Sequence, residues 1–469
     1  MDKQIAISPQ LLAQALSGKR ILEEEFPVPQ KCFQVLHSTK QVIPIPAIES
    51  KKGSAQCTRC GNTAMHYFAE YPCGICKKKH LYCRNCIQMG RISECKPLYI
   101  WNGTETAWPA HADPLTWEGQ LTRAQSRAAF QLEQAVIEKK PSYLSFSVCG
   151  SGKTEMLFPA ITAALQRGDR IALASPRVDV IRELLPRMEQ AFRTVSLEAL
   201  YGGSEHRAGN SQLILATTHQ LLRFYQAFDV LIIDEVDAFP YYLDKSLMYA
   251  ARQAVKKHST ILYLTATPSK DLRLQMKLGK LPYVFVPLRY HGHLLPVPQF
   301  KFSFNLTRQL ATKKLPHSFC KWLMRRQNPK RQLLIFVPKI VMVKELKAVI
   351  TALLLKTNAI SAAEELQAVF AADQDREEKI KQFRDRTLHV LITTTILERG
   401  VTFPSVDVAV LAAGHEVFNE AGLVQIAGRA GRSADDPSGE VIFFHDGKTD
   451  AMEKARQLII DMNARGRKL

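Results

Sequence analysis

Two short segments, far apart in the chain, limit what it can fold into. Residues 147–154 read Ser-Val-Cys-Gly-Ser-Gly-Lys-Thr, and residues 425–432 read Gln-Ile-Ala-Gly-Arg-Ala-Gly-Arg. The first has the makings of a loop that wraps phosphates. Gly150 and Gly152 let backbone N–H groups turn inward, and a helix entered at Lys153 adds its N-terminal dipole. Lys153 is placed to reach the β- and γ-phosphates, and the Thr154 hydroxyl to ligate Mg2+. Ser147, Val148, Cys149 and Ser151 complete the loop, Ser147 being small enough for its opening position. Such a loop by itself says only that a nucleotide binds. The downstream pair Arg429 and Arg432, with Gln425, implies a second lobe that reaches the same ATP, which is the layout of a motor.

The texture between the segments agrees. Residues 143–148, 170–174, 212–216, 230–233 and 260–264 are short apolar runs separated by helical stretches. Such alternation predicts a parallel sheet with helices on both faces. The run 230–233 ends in Asp234-Glu-Val-Asp237. An Asp at the carboxyl end of such a strand can hold Mg2+, and Glu235 beside it can polarise the attacking water. Thr122 and Gln125 precede a helix, where a Gln amide can read the adenine edge; the same two residue types also serve as ordinary helix starters. A proline-rich segment at 281–300 reads as a linker. Further strand candidates follow at 332–337, 389–393, 406–412 and 440–444.

The flanks differ. Residues 1–50 carry one helix signal, with Ser8 as N-cap, Pro9 at the first position and Gly18 as terminator. Residues 27–49, with four prolines, read as irregular. At the other end, Met452, Ala455, Leu458, Ile459 and Met462 share one helical face, which reads as a docking stripe. The domains expected are 1–50, an N-terminal extension; 51–100, a cysteine-rich module; 115–285, a first lobe with the ATP site; 300–450, a second lobe; and 451–469, an amphipathic helix with a basic tail.

Lys and Arg outnumber Asp and Glu by 63 to 44, a formal charge of +19. That excess favours a polyanionic partner, most simply nucleic acid, although an anionic membrane face attracts the same charge. No apolar run approaches the roughly 18 residues of a membrane span, and the first residues lack a signal-peptide pattern, so a cytoplasmic chain is expected.

Of ten cysteines, three C-x-x-C pairs lie between positions 57 and 86. In a cytosolic chain such clustering favours metal over disulfides, and two pairs supply the four thiolates of one tetrahedral Zn2+. Cys57 and Cys60 can be joined either by Cys73 and Cys76 or by Cys83 and Cys86. Cys32, Cys149 and Cys320 are scattered and read as packing residues. Lys77-Lys-Lys79 and Arg84, with Tyr67, Phe68, Tyr71 and Tyr82, offer either a DNA-stacking surface or the small core of a structural knuckle.

From about residue 115 to 450 the motifs resemble those of the superfamily 2 helicases, in order. Residues 147–154 correspond to motif I, Ser175-Pro-Arg177 to motif Ia, Asp234-Glu-Val-Asp237 to motif II and Thr265-Ala-Thr267 to motif III. Residues 334–338 correspond to motif IV, 393–400 to motif V and 425–432 to motif VI. The resemblance implies two RecA-like parallel-sheet lobes, an α/β fold, preceded by a small zinc-binding module. It implies arginine fingers at Arg429 and Arg432, and DNA phosphate contacts from Arg177, Thr217, Thr218, His219 and Thr394. Such contacts hold phosphates rather than bases, so movement would be sequence-independent.

Residues 82–91, 148–156, 234–240 and 393–400 together are similar to the ComFA family of late competence ATPases in Gram-positive bacteria. That family's four-cysteine motif corresponds to Cys57, Cys60, Cys83 and Cys86. Cys73 and Cys76 fall outside it, either as spare thiols or as a second site completed by His80 or Cys95; His80 alone reads as a solvated loop residue. The resemblance implies a DNA-stimulated ATPase that moves single-stranded DNA through the membrane DNA-uptake channel during transformation. It would work at the inner face of the cytoplasmic membrane beside the competence protein ComFC. The other readings are a primosomal or repair helicase that unwinds duplexes, and a zinc-dependent DNA-binding scaffold with an idle ATP site. The arginine pair leaves open whether its phosphate lies in the same chain or across a homo-oligomer interface.

Overall fold

The computed structural model describes residues 9–51, 53–205 and 208–468. By contacts the chain divides into two compact units: residues 1–145 with 154–284, and residues 146–153 with 285–469.

The first unit is built on a seven-stranded sheet. From one edge its order is Leu197–Leu200, Leu213–Thr217, Ile171–Ser175, Phe228–Ile233, Val255–Thr265, Ser142–Ser147, Tyr283–Val286. The pairings along the first five strands are parallel. Ile171–Ser175 and Leu213–Thr217 are buried along their whole length, as strands covered on both faces by helices must be. The last residues of Ser142–Ser147 and Tyr283–Val286, with the phosphate loop, group with the second unit. Tyr283–Val286 lies inside the segment expected to be a linker, so the linker reading fails there. Val148 N–H donates to Val286 O at 3.1 Å, which makes that stretch part of the sheet.

The second unit holds a six-stranded sheet, ordered Gln299–Phe302, Val441–His445, Val406–Val410, Gln332–Phe336, Val390–Thr393, Leu366–Val369. Every pairing in it is parallel. The final helix Asp450–Gly466 buries Met452, Ala455, Ile459 and Met462, the expected docking stripe, with Leu458 half-buried. Asn463 pins it by accepting from Leu295 N–H at 3.0 Å and donating to Leu295 O at 2.8 Å.

The N-terminal region departs most from expectation. Ser8 lies outside the described residues, but the helix Pro9–Leu16 forms and Gly18 follows it at φ 74°. The stretch read as irregular instead contains the helix Gln30–Ser38 and the strand Val42–Ile45. Val42–Ile45 and Arg20–Ile21 flank Leu98–Trp101 in an antiparallel sheet, so residues 20–45 and the end of the cysteine region form one structure. Pro44 sits in that edge strand, where its missing N–H costs no ladder bond. The cysteine region is no separate bead either. Cys57, Cys60, Cys83 and Cys86 share one hydrophobic core with Ile214, Leu231 and Ile233 of the large sheet.

Candidate nucleotide and metal sites

In the second unit, the phosphate loop runs from the end of Ser142–Ser147 to the helix Lys153–Gln166. Gly150 and Gly152 adopt φ 80° and 73°, the left-handed region that side chains disfavour. Ser147, Val148, Cys149 and Ser151 are buried, and Lys153 is partly exposed at the helix start. The helix Glu420–Ala427, which opens the downstream motif, sits directly on this loop. The Cys149 thiol donates to Gln425 Oε1 at 2.9 Å. At Gly428 a Cβ would fall 2.6 Å from Cys149 Cβ, so only glycine allows this approach.

The two arginines expected as fingers are not equivalent. Arg429 is 1% exposed and donates to the carbonyls of Glu398, at 3.1 Å, and Val401. It braces the turn after Thr395–Leu397, which corrects its reading as a finger in this conformation. Arg432 is partly exposed; its guanidinium donates to Gly428 O at 3.1 Å and Thr402 Oγ1 at 3.2 Å. A third arginine escaped the sequence reading. Arg289 is 1% exposed and donates to Ala430 O at 2.7 Å, to Gly431 O and to Gly428 O at 3.3 Å, while its side chain lies 3.7 Å from a Cβ position at Gly150. Burial, and then the charge of Arg432, lower its pKa to about 10, so it stays cationic at neutral pH. It sits in the proline-rich stretch, outside any motif, so only its contacts reveal it.

In the first unit, Asp234 and Glu235 follow Phe228–Ile233, and Glu235 has φ 54°. Asp234 Oδ1 accepts from Glu235 N–H at 2.8 Å. Asp237 joins motifs II and III: it accepts from Thr265 Oγ1 and Thr267 Oγ1, each at 2.5 Å. Thr154 is buried at the start of its helix. Gln125 is 5% exposed, and its Oε1 accepts from Thr122 N–H at 2.8 Å while Thr122 Oγ1 accepts from Gln125 N–H at 3.4 Å. This is a capping box, the helix-start role of the two residue types, and it uses the Gln125 side chain through Oε1. Among the expected DNA contacts, Thr217 and Thr218 are 6% and 0% exposed, which corrects their assignment. His219 beside them is exposed, and Arg177 and Thr394 are half-buried.

The fold brings Cys57 and Cys60 together with Cys83 and Cys86 rather than with Cys73 and Cys76. Sγ atoms of Cys57, Cys60, Cys83 and Cys86 all lie within 4.8 Å of one another. Cys57 and Cys86 are 3.8 Å apart, and Cys60 and Cys83 are 3.7 Å apart. A tetrahedral Zn2+ with bonds of about 2.3 Å requires edges of about 3.8 Å, so the four residues fit such a centre. Four protein ligands leave no open position, so the centre would be structural. Around it, Arg59 is fully buried and donates to Glu25 at 3.0 Å, Met89 O at 2.8 Å and Leu222 O at 3.4 Å. Phe68 is buried in the same core as the four cysteines, as the small-core reading expects, and Tyr67 is exposed.

Residues 4–100 match the family model described as the competence protein ComFA N-terminal domain. Residues 118–270 match the type III restriction enzyme res subunit, and 314–434 the helicase conserved C-terminal domain. Competence protein ComFA of Bacillus subtilis (strain 168) is 41% identical over 99% of this chain and 97% of its own length. The chain belongs to the ComFA family. A second member, from Streptococcus pneumoniae, is 38% identical over 89% of this chain and 93% of its own length. Among solved structures, Mss116p bound to single-stranded RNA and AMP-PNP covers 76% of this chain and 79% of its own, with TM-score 0.53 and 15% identity; that likeness shows the shared fold. The family and fold establish a competence-related, superfamily 2 helicase-like protein. Among the described residues, no helix is long and apolar enough to cross a membrane.

Proposed function

We propose that this ComFA-family chain is an ATP-driven translocase on single-stranded DNA, working in the import of transforming DNA at the inner face of the cytoplasmic membrane. The observation that carries the ATPase part is the seating of Gln425 on Cys149, which joins the downstream motif to the phosphate loop. A scaffold with an idle site has no need of that contact. The DNA and import parts rest on the competence relatives, on the helicase motifs and on the charge of +19.

In this reading the N–H groups of 150–153 and Lys153 hold the phosphates, and Thr154 with Asp234 holds Mg2+. Glu235 orients the attacking water. Arg432 supplies positive charge to the γ-phosphate, held at its base by Gly428 O, and Arg289 fixes the backbone from which Arg432 projects. Zn2+ is the structural metal of the buried cysteines. His219 and Arg177 are the phosphate contacts for DNA, with Thr394. The partners assigned from the family are ComFC and the uptake channel.

The test is ATP hydrolysis by the full chain with and without single-stranded DNA, alongside strand displacement. Stimulation without displacement supports a translocase. Lys153→Ala and Arg432→Ala are expected to lower the stimulated rate about 100-fold or more. A rate that ignores single-stranded DNA would sink the motor reading.

A further inference from the structure

Beyond the buried four-cysteine site lies a second group of thiols at the far end of the same region. We infer that Cys73, Cys76 and Cys95, with His80, form a second and separate zinc site. Its chemistry is that of a borderline-soft divalent cation held by three thiolates and one imidazole.

Local structure brings the four residues together. Strands Phe68–Pro72 and Lys79–Cys83 pair antiparallel, with Pro72 opposite Lys79. The turn between them closes on itself, Cys73 N–H donating to Lys78 O at 2.9 Å and Lys77 N–H to Cys73 O at 3.0 Å. That turn presents Cys73 and Cys76 as one C-x-x-C knuckle. Cys95 comes from a different place, the turn after Ile92–Ser93, a strand paired with Lys79–Cys83. Nothing in the hairpin itself requires a third cysteine there.

The sulfurs are already at metal-bridging separations. Cys73 and Cys95 are 3.4 Å apart, Cys76 and Cys95 are 3.6 Å apart, and all three lie within 4.8 Å of one another. The buried group, with the same donor chemistry, shows 3.8 and 3.7 Å. Tetrahedral zinc–thiolate edges of about 3.8 Å describe both. His80 Nε2 is 2.9 Å from Cys76 Sγ, which makes the imidazole the neighbouring fourth donor, although it stands outside the group of three sulfurs that lie within 4.8 Å of one another and must turn toward them to ligate. On its other side, His80 Nδ1 is 3.9 Å from Glu94 Oε2. At that distance the carboxylate acts on the ring by charge; a carboxylate behind a ligating imidazole fixes its tautomer and orientation only once it closes to hydrogen-bond range. Glu94 is itself held, since its Oε2 accepts from Leu81 N–H at 2.7 Å and its Oε1 contacts Ser50 Oγ.

The two sites differ in access. All four buried ligands are shielded, whereas at the tip Cys73 is buried, Cys95 is intermediate and Cys76 is exposed. The tip metal would clamp the hairpin end that carries Lys77, Lys78 and Lys79.

Metal analysis of the purified full chain tests this. Two zinc ions per chain are expected, falling to one in Cys76→Ser and in Cys95→Ser. Release to a chelator is expected in two phases, the faster one lost in both variants. Retention of the slower phase reports that the buried site, and hence the fold, is intact. His80→Ala is expected to leave two ions but to speed the fast phase about 10-fold or more. One zinc per chain in the unaltered protein, or two that persist in Cys76→Ser and Cys95→Ser, overturns the site. So does a disulfide, read as eight rather than ten titratable thiols in denaturant. An unchanged fast phase in His80→Ala overturns the imidazole as ligand.

Discussion

The two ends of the cysteine region use the same C-x-x-C knuckle for different purposes. At the inner end, Cys57 to Gly61 turns under the large sheet, and its sulfurs are part of a core that runs into Ile214 and Leu231. At the outer end, Cys73 to Cys76 turns in solvent, with Ile75 85% exposed. A C-x-x-C pair therefore does not say whether it is a core element or a surface clamp. What surrounds it decides how much stability rides on it.

Four substitutions sharpen this contrast. The largest effect is expected from Cys83→Ser, which removes one of four mutually dependent ligands inside the core. Structural zinc contributes on the order of 10 kcal/mol in small domains, so loss of the inner zinc and of folded N-terminal structure is expected in metal analysis and near-UV circular dichroism. Retention of that zinc would show that the inner knuckle does not depend on Cys83.

Arg59→Ala comes next. Arg59 lies inside the inner knuckle, and its fully buried guanidinium satisfies Glu25, Met89 O and Leu222 O at once. Removing one partner of a buried pair costs about 3–5 kcal/mol; Glu25 is partly exposed, which puts the effect at the lower end. A melting temperature within a degree of the unaltered protein would contradict a structural role for the buried guanidinium.

The glycines give the cleanest pair. Gly61 has φ 71°, and a Cβ there would lie 2.5 Å from the Tyr249 ring. Strain and the displaced ring together should cost about 2 kcal/mol in Gly61→Ala. Gly74, the glycine between the two cysteines of the surface knuckle, has nothing within 4 Å of its Cβ position and no positive φ. Gly74→Ala should therefore change stability by less than about 0.5 kcal/mol. Equal effects at the two glycines, measured by chemical denaturation, would erase the distinction between core and surface knuckles.

How much the sequence revealed follows burial as well. All nine apolar runs read as strands are interior strands of the two sheets. Within these two sheets, the four strands that escaped notice are Leu197–Leu200, Tyr283–Val286, Gln299–Phe302 and Leu366–Val369, and each is a sheet edge. An interior strand of a parallel sheet is covered on both faces and must be apolar throughout. An edge strand is partly open and carries mixed residues, as in the half-exposed pattern of Gln299–Phe302. The site divides in the same way. The phosphate loop and the 425–432 segment were legible because their chemistry demands particular residues at particular spacings. Arg289 was not, because a buried arginine that binds carbonyls can stand anywhere the chain happens to pass.

By itself, then, the sequence determined the family, the two parallel-sheet lobes, the phosphate loop and the presence of clustered metal ligands. These depend on periodicity and on short-range spacing, which a linear chain displays. Tertiary structure alone decided what each polar group is bonded to. It turned Arg429 into a brace and Gln125 into a cap, buried Thr217 and Thr218, and sorted the C-x-x-C pairs. Hydrogen-bond satisfaction and burial are properties of neighbours brought together by folding, and residue spacing does not encode them.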